Sequence, residues 1–503
     1  MAKKRSTLLL NLPGPTPGVP LYRWFYEEVR QAILAGRLHP GARLPATRDL
    51  AAQFGLSRPT LVTAFEQLRS EGYVEGKVGS GTYVSQVLPE QMLQAPRTSS
   101  GATRRRRTIS LSAYARRLQL SPARESRPVR AFRANQPALD AFPATLWAQV
   151  AARRLRRVST QLLAGGEALG YRPLRAAVTD YLNTSRGVKC TPEQVLIISG
   201  VQQALDRTAH LLLNPGDAVW MEEPGYPGAA ATFRAVGAKI CGLPVDSEGL
   251  NLEAGRSHAR PRLVYVTPAH QFPLGVTMSL PRRLSLLEWA RRSGTVVFED
   301  DYDSEYRYSG RPIPALQGLD RAGVVIFAGS FSDVLFPALR LGYLVVPPDM
   351  VELFAAAEAV STHHPPLIDQ AILCDFIVEG HFARHVRRMR ELYAERLSVL
   401  LEAASEHFEG LLEIPTVEAG LRTVGWLKRG ITATQAAQAA AKDDVEVVPL
   451  SRYAHGQTRN NGLVLGFAAV DGRELRRGAE HLARVLRKCA RLSTPHANSD
   501  HQE

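Results

Sequence analysis

The chain has 503 residues, of which 45% are hydrophobic and 22% charged, so it is long enough for two or three domains with a large buried core. No uncharged apolar run approaches the roughly 18 residues of a membrane span, and the apolar stretch at the N-terminus is too short for a secretory signal. The four cysteines are far apart and form no C-x-x-C pair, which argues against a disulfide framework and against a metal site. These features exclude membrane and disulfide-rich secreted classes and predict a soluble, cytoplasmic protein.

The net charge of +14 is concentrated in the N-terminal quarter of the chain. Residues 1–130 contain 21 Lys and Arg against 8 Asp and Glu, whereas the remaining residues contain 41 against 40. This distribution favours a polyanionic partner such as DNA, bound through the N-terminal quarter. A basic segment that only increases solubility is the alternative.

After a basic tail over residues 1–19, the pattern predicts three helices in residues 20–86. Residues 20–34 form an amphipathic helix, a second helix runs from Thr47 as N-cap to Phe54, and a third starts with Ser57 as its N-cap. The apolar stripe of the first helix is predicted to contain Leu21, Phe25, Val29 and Ile33. Two helices joined by a tight glycine turn are typical of a helix-turn-helix motif.

Two short strand patterns around Val74 and Val84 flank the segment GKVGSG, which predicts a two-stranded wing after the third helix. With the motifs LPATRDLA, LSRPTL, FEQLRSEGYV and VGSGTYV in order, residues 20–86 resemble the GntR-type winged-helix DNA-binding domains. The resemblance implies binding to a double-stranded DNA operator. The implied DNA contacts are Arg48, Ser57, Arg58, Thr60, Lys77 and Gly79.

Residues 87–130 contain few large apolar residues and many Ser, Pro and Arg, including the run Arg104 to Arg107. This composition predicts a basic flexible linker with a short helix around Tyr114 to Leu120. Two roles remain open, contact with DNA phosphates and a simple solvated tether.

From residue 131 the pattern alternates between apolar strands and longer helices, which predicts a large α/β domain over residues 131–490. Two buried parallel strands are expected at Thr295 to Phe298 and at Val324 to Ala328. A long helix leads to a smaller C-terminal α/β lobe, and residues 491–503 are expected to form a disordered tail.

Polar residues follow both predicted strands, in the segments FEDDYDSEYRY and AGSFSDVLFPALRLG. Here the chain resembles the pyridoxal-phosphate (PLP) enzymes of the class I/II aminotransferase fold. The resemblance places Asp300 at the pyridine nitrogen, Tyr302 at the ring hydroxyl and Tyr226 on the ring face. The phosphate contacts that it implies are Gly200, Val201, Gln202, Ser330, Ser332 and Arg340.

The position of the Schiff-base lysine in that family is occupied here by Asp333. Two further departures are Gly165, where a tyrosine reaches the partner's phosphate, and Val464, where an arginine clasps the substrate carboxylate. A carboxylate cannot form the internal imine or move the substrate proton as an amine does, so no residue is assigned a catalytic role. PLP is expected to bind weakly and non-covalently, or not at all.

The order of winged helix, basic linker and aminotransferase-like domain resembles the MocR/GabR-type transcriptional regulators. That resemblance implies a head-to-tail homodimer whose second domain senses an amine, an amino acid or PLP itself. Two alternatives stay open: an aminotransferase that carries an appended DNA-binding domain, and a regulator whose second domain is only a dimerisation scaffold.

Overall fold

The computed structural model describes residues 10, 12–15, 17–77, 81–87, 110–118, 128–310, 314–428, 430–456 and 461–492. The chain divides into two compact units, residues 1–109 and residues 110–503. Within the described ranges, no helix is both long enough and apolar enough to cross a membrane.

The first unit is a winged helix with its elements in the predicted order. They are α1 (Leu21–Leu34), α2 (Thr47–Phe54), α3 (Arg58–Ser70), β1 (Val74–Lys77) and β2 (Gly81–Val84). The two strands pair antiparallel, with Val74 opposite Val84, and form the wing. The second helix differs from the prediction in its cap, since Ala46 is the N-cap and Thr47 is already the first helical residue.

The core of this unit corrects one detail of the predicted apolar stripe. Phe25 is completely buried and packs against Phe54 and Phe65, at ring centroid distances of 5.8 and 6.1 Å. Leu21, in contrast, is 46% exposed, and Trp24 is buried instead. The buried face of α1 is therefore shifted toward Trp24, whose ring packs edge-on against Phe54 of α2 at a centroid distance of 6.1 Å.

The second unit is built on an eight-stranded mixed sheet with the strand order β3-β10-β9-β8-β7-β4-β5-β6. The strands are β3 (Val195–Ile198), β4 (Ala218–Glu223), β5 (Lys239–Asp246), β6 (Gly249–Leu250), β7 (Leu263–Val266), β8 (Val296–Asp301), β9 (Val325–Ser330) and β10 (Gly342–Val345). The run from β5 through β4, β7 and β8 to β9 is parallel, whereas β10 is antiparallel to both of its neighbours. The predicted parallel pair is confirmed as β8 and β9.

Helices cover both faces of this sheet. Among the described residues, the helices of this part of the chain are α4 (Ala113–Arg117), α5 (Ala144–Arg156), α6 (Thr160–Ala164), α7 (Arg172–Ser185), α8 (Val201–Leu212), α9 (Pro227–Val236), α10 (Leu280–Ser293), α11 (Leu316–Leu319), α12 (Val351–Ser361) and α13 (Leu367–Val378). Successive side chains of β9 point to opposite faces of the sheet. Ile326 packs in the layer of α8 and α9, and Phe327 packs in the layer of α7 and α13. A strand buried on both faces explains the unbroken apolar pattern of its sequence.

The long helix α14 (His381–His407) leads into the smaller C-terminal lobe, as predicted. The lobe contains a four-stranded antiparallel sheet of order β11-β12-β14-β13 and two more helices. These elements are β11 (Leu412–Glu413), β12 (Arg422–Leu427), α15 (Ala433–Lys442), β13 (Val448–Pro449), β14 (Gly462–Gly466) and α16 (Gly472–Leu492).

Part of the predicted linker belongs to the second unit. Ser112 caps α4 by accepting a hydrogen bond from the Ala115 backbone N–H at 3.1 Å, and the ring of Tyr114 lies 5.5 Å from that of His210 on α8. The described segment 110–118 thus contacts the second unit through Tyr114, while all of its residues except Ala115 are exposed. The arginine run 104–107 and most of the predicted tails lie outside the described residues.

Candidate functional site

The start of α3 is set by local sequence chemistry. Gly55 ends α2 in the left-handed conformation, with φ of 63°, and Ser57 then caps α3. The Ser57 hydroxyl accepts a hydrogen bond from the Thr60 N–H at 3.3 Å and lies 2.7 Å from the Thr60 hydroxyl. Arg58 follows as the first helical residue and is exposed, as is Pro59 in the same turn.

The predicted DNA contacts differ in how available their polar groups are. The Arg48 side chain on α2 is 76% exposed, with an ion pair of 3.4 Å to Asp49. Lys77 ends β1, and its ammonium lies 5.2 Å from the centroid of the Tyr83 ring. Ser57 and Thr60 use their hydroxyls in the cap, so the exposed cations are the groups best placed for an external anion. Gly79 lies outside the described residues.

The second site is a pocket of about 170 Å³ beside the carboxyl ends of β8 and β9. All ten predicted cofactor-site residues line it: Gly200, Val201, Gln202, Tyr226, Asp300, Tyr302, Ser330, Ser332, Asp333 and Arg340. Parallel strands end at one edge of a sheet, which brings these distant segments together. Five residues that sequence reasoning missed also line it: Asn135, Tyr265, Phe272, Pro337 and Arg422.

Asp300 is the most deeply buried carboxylate of the pocket. The Tyr265 hydroxyl donates a hydrogen bond to its Oδ2 at 2.7 Å, whereas Oδ1 is buried and has no hydrogen-bond partner among the described residues. Burial above all, opposed by the Tyr265 hydrogen bond and assisted by the nearby carboxylates of Asp301, Asp333 and Glu222, raises the pKa of Asp300 to about 7. Oδ1 is therefore an unused acceptor suited to a cationic N–H donor.

The opposite end of the pocket is an anion cradle. Helix α8 begins at Val201, directly after Gly200, which has φ of 99°. A Cβ added at Gly200 would lie 3.5 Å from the Arg340 guanidinium, and the Ser332 N–H donates to the Ser330 hydroxyl at 3.1 Å. A helix N-terminus, a guanidinium and hydroxyl groups together suit a phosphate or carboxylate.

The aromatic residues of the pocket have partners of their own. The Tyr226 hydroxyl donates to Gln202 Oε1 at 3.3 Å, and the ring packs edge-on against Phe272 at 5.5 Å. The Tyr302 hydroxyl donates to the backbone oxygen of His270 at 2.7 Å. His270 in turn lies with its Nδ1 3.0 Å from Asp303. The Tyr302 hydroxyl is thus already engaged on the protein side of the pocket.

Each of the two sites lies in a region of the chain that matches a known protein family. A family of bacterial regulatory proteins, the gntR family, matches residues 21–84, and the aminotransferase class I and II family matches residues 129–482. The probable rhizopine catabolism regulatory protein MocR of Rhizobium meliloti is 41% identical over 92% of this chain and 93% of its own length. The chain belongs to the MocR-type transcriptional regulators.

Two other relatives represent the two aspects of a MocR-type chain. The pyridoxine biosynthesis transcriptional regulator PdxR of Corynebacterium glutamicum is 30% identical over 90% of this chain and 92% of its own length. The crystal structure of LysN, an α-aminoadipate aminotransferase of Thermus thermophilus complexed with N-(5'-phosphopyridoxyl)-L-leucine, has a TM-score of 0.70 and 31% identity. That match covers 76% of this chain and 98% of LysN.

The aminotransferase family implies PLP, and most of the pocket of this MocR-type regulator fits that group. The unpartnered Asp300 Oδ1 suits a pyridinium N–H, and the Gly200 cradle with Arg340 suits a phosphate. Asp333 lines the same pocket with a carboxylate, which cannot form the imine by which an amine holds PLP covalently. None of the described lysines lines the pocket.

Arg422 is the most unusual of the missed residues in this MocR-type pocket. It begins β12, is 2% exposed, and its guanidinium lies 4.5 Å from the Phe272 ring centroid and 4.8 Å from that of Tyr302. The signal in the sequence is an arginine at the start of a buried apolar strand, LRTVGWL, where a charge is costly without a partner. That signal does not say which pocket the strand faces.

Proposed function

We propose that this MocR-type regulator is a cytoplasmic homodimer that binds a double-stranded DNA operator and senses a small amine, amino acid or PLP-related effector without transamination. The observation that carries the proposal is Asp333, a carboxylate in a pocket that is otherwise built like a cofactor site. The pocket offers polar groups for a ligand, and none of the described lysines lines it.

The absence of transamination follows from the chemistry of the side chains. PLP, when bound, supplies an aldehyde and an electron-withdrawing ring for reactions of amino groups. In this chain Asp300 would hold the ring nitrogen, and Ser330, Ser332 and Arg340 would hold the phosphate. Asp333 can neither anchor the aldehyde nor carry a proton as a neutral amine does, and its charge repels a dianionic phosphate. PLP binding is therefore weak and non-covalent, or does not occur.

The winged helix supports the DNA-binding part of the proposal. Arg58 stands exposed at the first turn of α3, where a guanidinium can enter a groove and bond a guanine edge. Lys77 at the wing and Arg48 on α2 are exposed cations suited to phosphate contacts. One winged helix covers one half-site, so a homodimer is expected to bind paired repeats. The resemblance to the MocR/GabR-type regulators implies that the two subunits of this homodimer are arranged head-to-tail.

Two measurements test the proposal. The full-length chain, mixed with a pool of random DNA duplexes, should enrich a motif that occurs as two spaced copies. Transfer of an amino group from L-glutamate to 2-oxo acids in the presence of PLP should stay at the level of the protein-free reaction. Failure to enrich any motif would contradict operator binding, and turnover with PLP would instead support the aminotransferase alternative.

A further inference from the structure

Arg422 leaves part of its hydrogen-bonding capacity unused inside the pocket. One Nη donates to the Asn135 side-chain oxygen, and the other lies 4.0 Å from Asp303, beyond hydrogen-bonding distance. Nε is buried without any hydrogen-bond partner in the described parts of the chain. A guanidinium removed from water is costly unless its donors are satisfied, so this arrangement favours an anionic ligand group beside it.

The charges of the pocket are mixed rather than of one sign. The carboxylates of Asp300 and Asp333 line the same pocket as the guanidinium groups of Arg340 and Arg422. A ligand that carries only an amine would leave Arg422 without an added anion, and a ligand that carries only a carboxylate would leave the acids without an added cation. A ligand with both an ammonium and a carboxylate group matches both signs.

The pairing of strands in the small sheet places Arg422 beside Val464. In the pairing of β12 with β14, Val424 is opposite Val464 and Arg422 is opposite Gly466. Arg422 and Val464 are therefore diagonal neighbours on the same face of the sheet. Val464 and Phe272 share one buried cluster, and the Arg422 guanidinium covers the Phe272 ring. The Arg422 guanidinium thus provides a positive charge close to Val464, whose own side chain is apolar.

A purely structural role for Arg422 is the competing explanation. Burial disfavours the charged form of Arg422, but the Tyr302 hydroxyl, through its charge and a hydrogen bond, and the carboxylates of Asp303 and Asp333 raise the pKa of Arg422 above its ordinary value. However, Asp303 pairs with Arg422 only at 4.0 Å, which is too long for a hydrogen bond, and the same carboxylate oxygen lies 3.0 Å from His270 Nδ1. If Arg422 only balanced the charges of Asp303 and Asp333, ligands with and without a carboxylate would bind equally well. Ligand binding therefore distinguishes the two explanations.

We infer that Arg422 binds the carboxylate of the effector while Asp333 receives its ammonium group, so that the effector is a free amino acid held without a covalent bond. The inference rests on the proposed function, because it assumes that the pocket is the effector site. It narrows the effector from amines, amino acids and PLP-related compounds to amino acids.

The test uses the full-length chain and paired probes. Each of the twenty standard L-amino acids is tested for thermal stabilisation of the wild type, and the dissociation constant of each stabilising amino acid is compared with that of its decarboxylated amine. We expect at least one amino acid to bind at least tenfold more tightly than its amine. Arg422→Gln should reduce that ratio to below about threefold, and Asp333→Asn should weaken the amino acid and its amine alike.

Two further variants keep the test decisive. Arg396→Gln removes another buried guanidinium, one that bonds the Ala468 backbone oxygen away from the pocket, and should leave the ratio unchanged. If Arg422→Gln does not fold, Arg422→Leu combined with Val464→Arg places a guanidinium at the diagonal position and should restore preference for the amino acid.

Three results would overturn the inference: no stabilisation by any amino acid, equal binding of an amino acid and its amine, or an unchanged ratio in Arg422→Gln. DNA binding of the same wild-type preparation separates these failures from a failure of the proposed function. If DNA is bound and no amino acid is preferred, only the inference is wrong. If no DNA is bound under any condition, the proposed function fails as well.

Discussion

Replacing Asp300 by Asn should stabilise the protein in a strongly pH-dependent way. The pKa of this carboxyl is raised from 3.8 to about 7, mainly by burial. The folded state therefore binds a proton more tightly than the unfolded chain does, so the stability contribution of Asp300 is lost as pH rises from about 4 to 7. A tenfold change in proton affinity is worth about 1.4 kcal/mol, so the whole change is worth about 4 kcal/mol.

The asparagine side chain keeps an oxygen that can accept the hydrogen bond from the Tyr265 hydroxyl. Unlike the carboxylate, the amide carries no charge at any pH. For a unit of nearly 400 residues, an unfolding entropy of about 2 cal/mol/K per residue converts about 4 kcal/mol into a shift of about 5 °C. We therefore expect Asp300→Asn to melt about 5 °C above the wild type at pH 8 and close to it at pH 4.5. Differential scanning fluorimetry of the full-length chain at both pH values measures this difference.

The neighbouring carboxylate provides a matched control. Asp301 is also buried but forms an ion pair with Arg186 at 2.9 Å, so Asp301→Asn should lower the melting temperature at pH 8 by leaving that arginine unpaired. If Asp300→Asn shifted the melting temperature by the same amount at pH 4.5 and pH 8, the reasoning about an unpaired buried carboxylate would be refuted.

DNA binding by the winged helix and dimerisation of the chain can each be measured directly. Arg58→Ala should cost about 1–3 kcal/mol at the specific site and little on random DNA, whereas Lys77→Ala should weaken both equally and flatten the salt dependence, as titrations by fluorescence anisotropy would measure. Equal losses on both DNAs for Arg58→Ala would remove it from base recognition. Sedimentation should show a dimer at micromolar concentration, because paired half-sites require two-fold symmetry, and a monomer both free and on DNA would contradict this.

Much of the fold could be predicted because its elements have strong local patterns. The Ser57 cap, the glycine after α2 and the apolar runs of β8 and β9 each encode their own structure. Which side chains on the apolar face of a helix are buried could be predicted less well. Leu21 fits the helical spacing of α1 and yet is exposed, since the partner surface supplied by α3 and the aromatic rings decides which residues are buried.

In the pocket too, residues within sequence motifs could be predicted, whereas residues positioned by the packing of distant segments could not. Its ten predicted residues carry family motifs, and the motifs lie at strand ends that any parallel sheet brings together. Arg422 has no such motif and comes from another lobe, so its position depends on how β12 packs beside Phe272. Tyr265 was missed because a tyrosine inside a buried strand gives no sign that its hydroxyl bonds Asp300.

Under the proposed function, Asp333 prevents covalent attachment of PLP in an otherwise cofactor-like pocket. The direct measurement is the intact mass of the wild type and of Asp333→Lys after incubation with equimolar PLP and reduction with borohydride, followed by peptide mapping. We predict that the wild type shows no stoichiometric pyridoxyl adduct on any of its eight lysines, whereas Asp333→Lys gains one adduct at position 333. A stoichiometric pyridoxyl-lysine in the wild type would contradict the account.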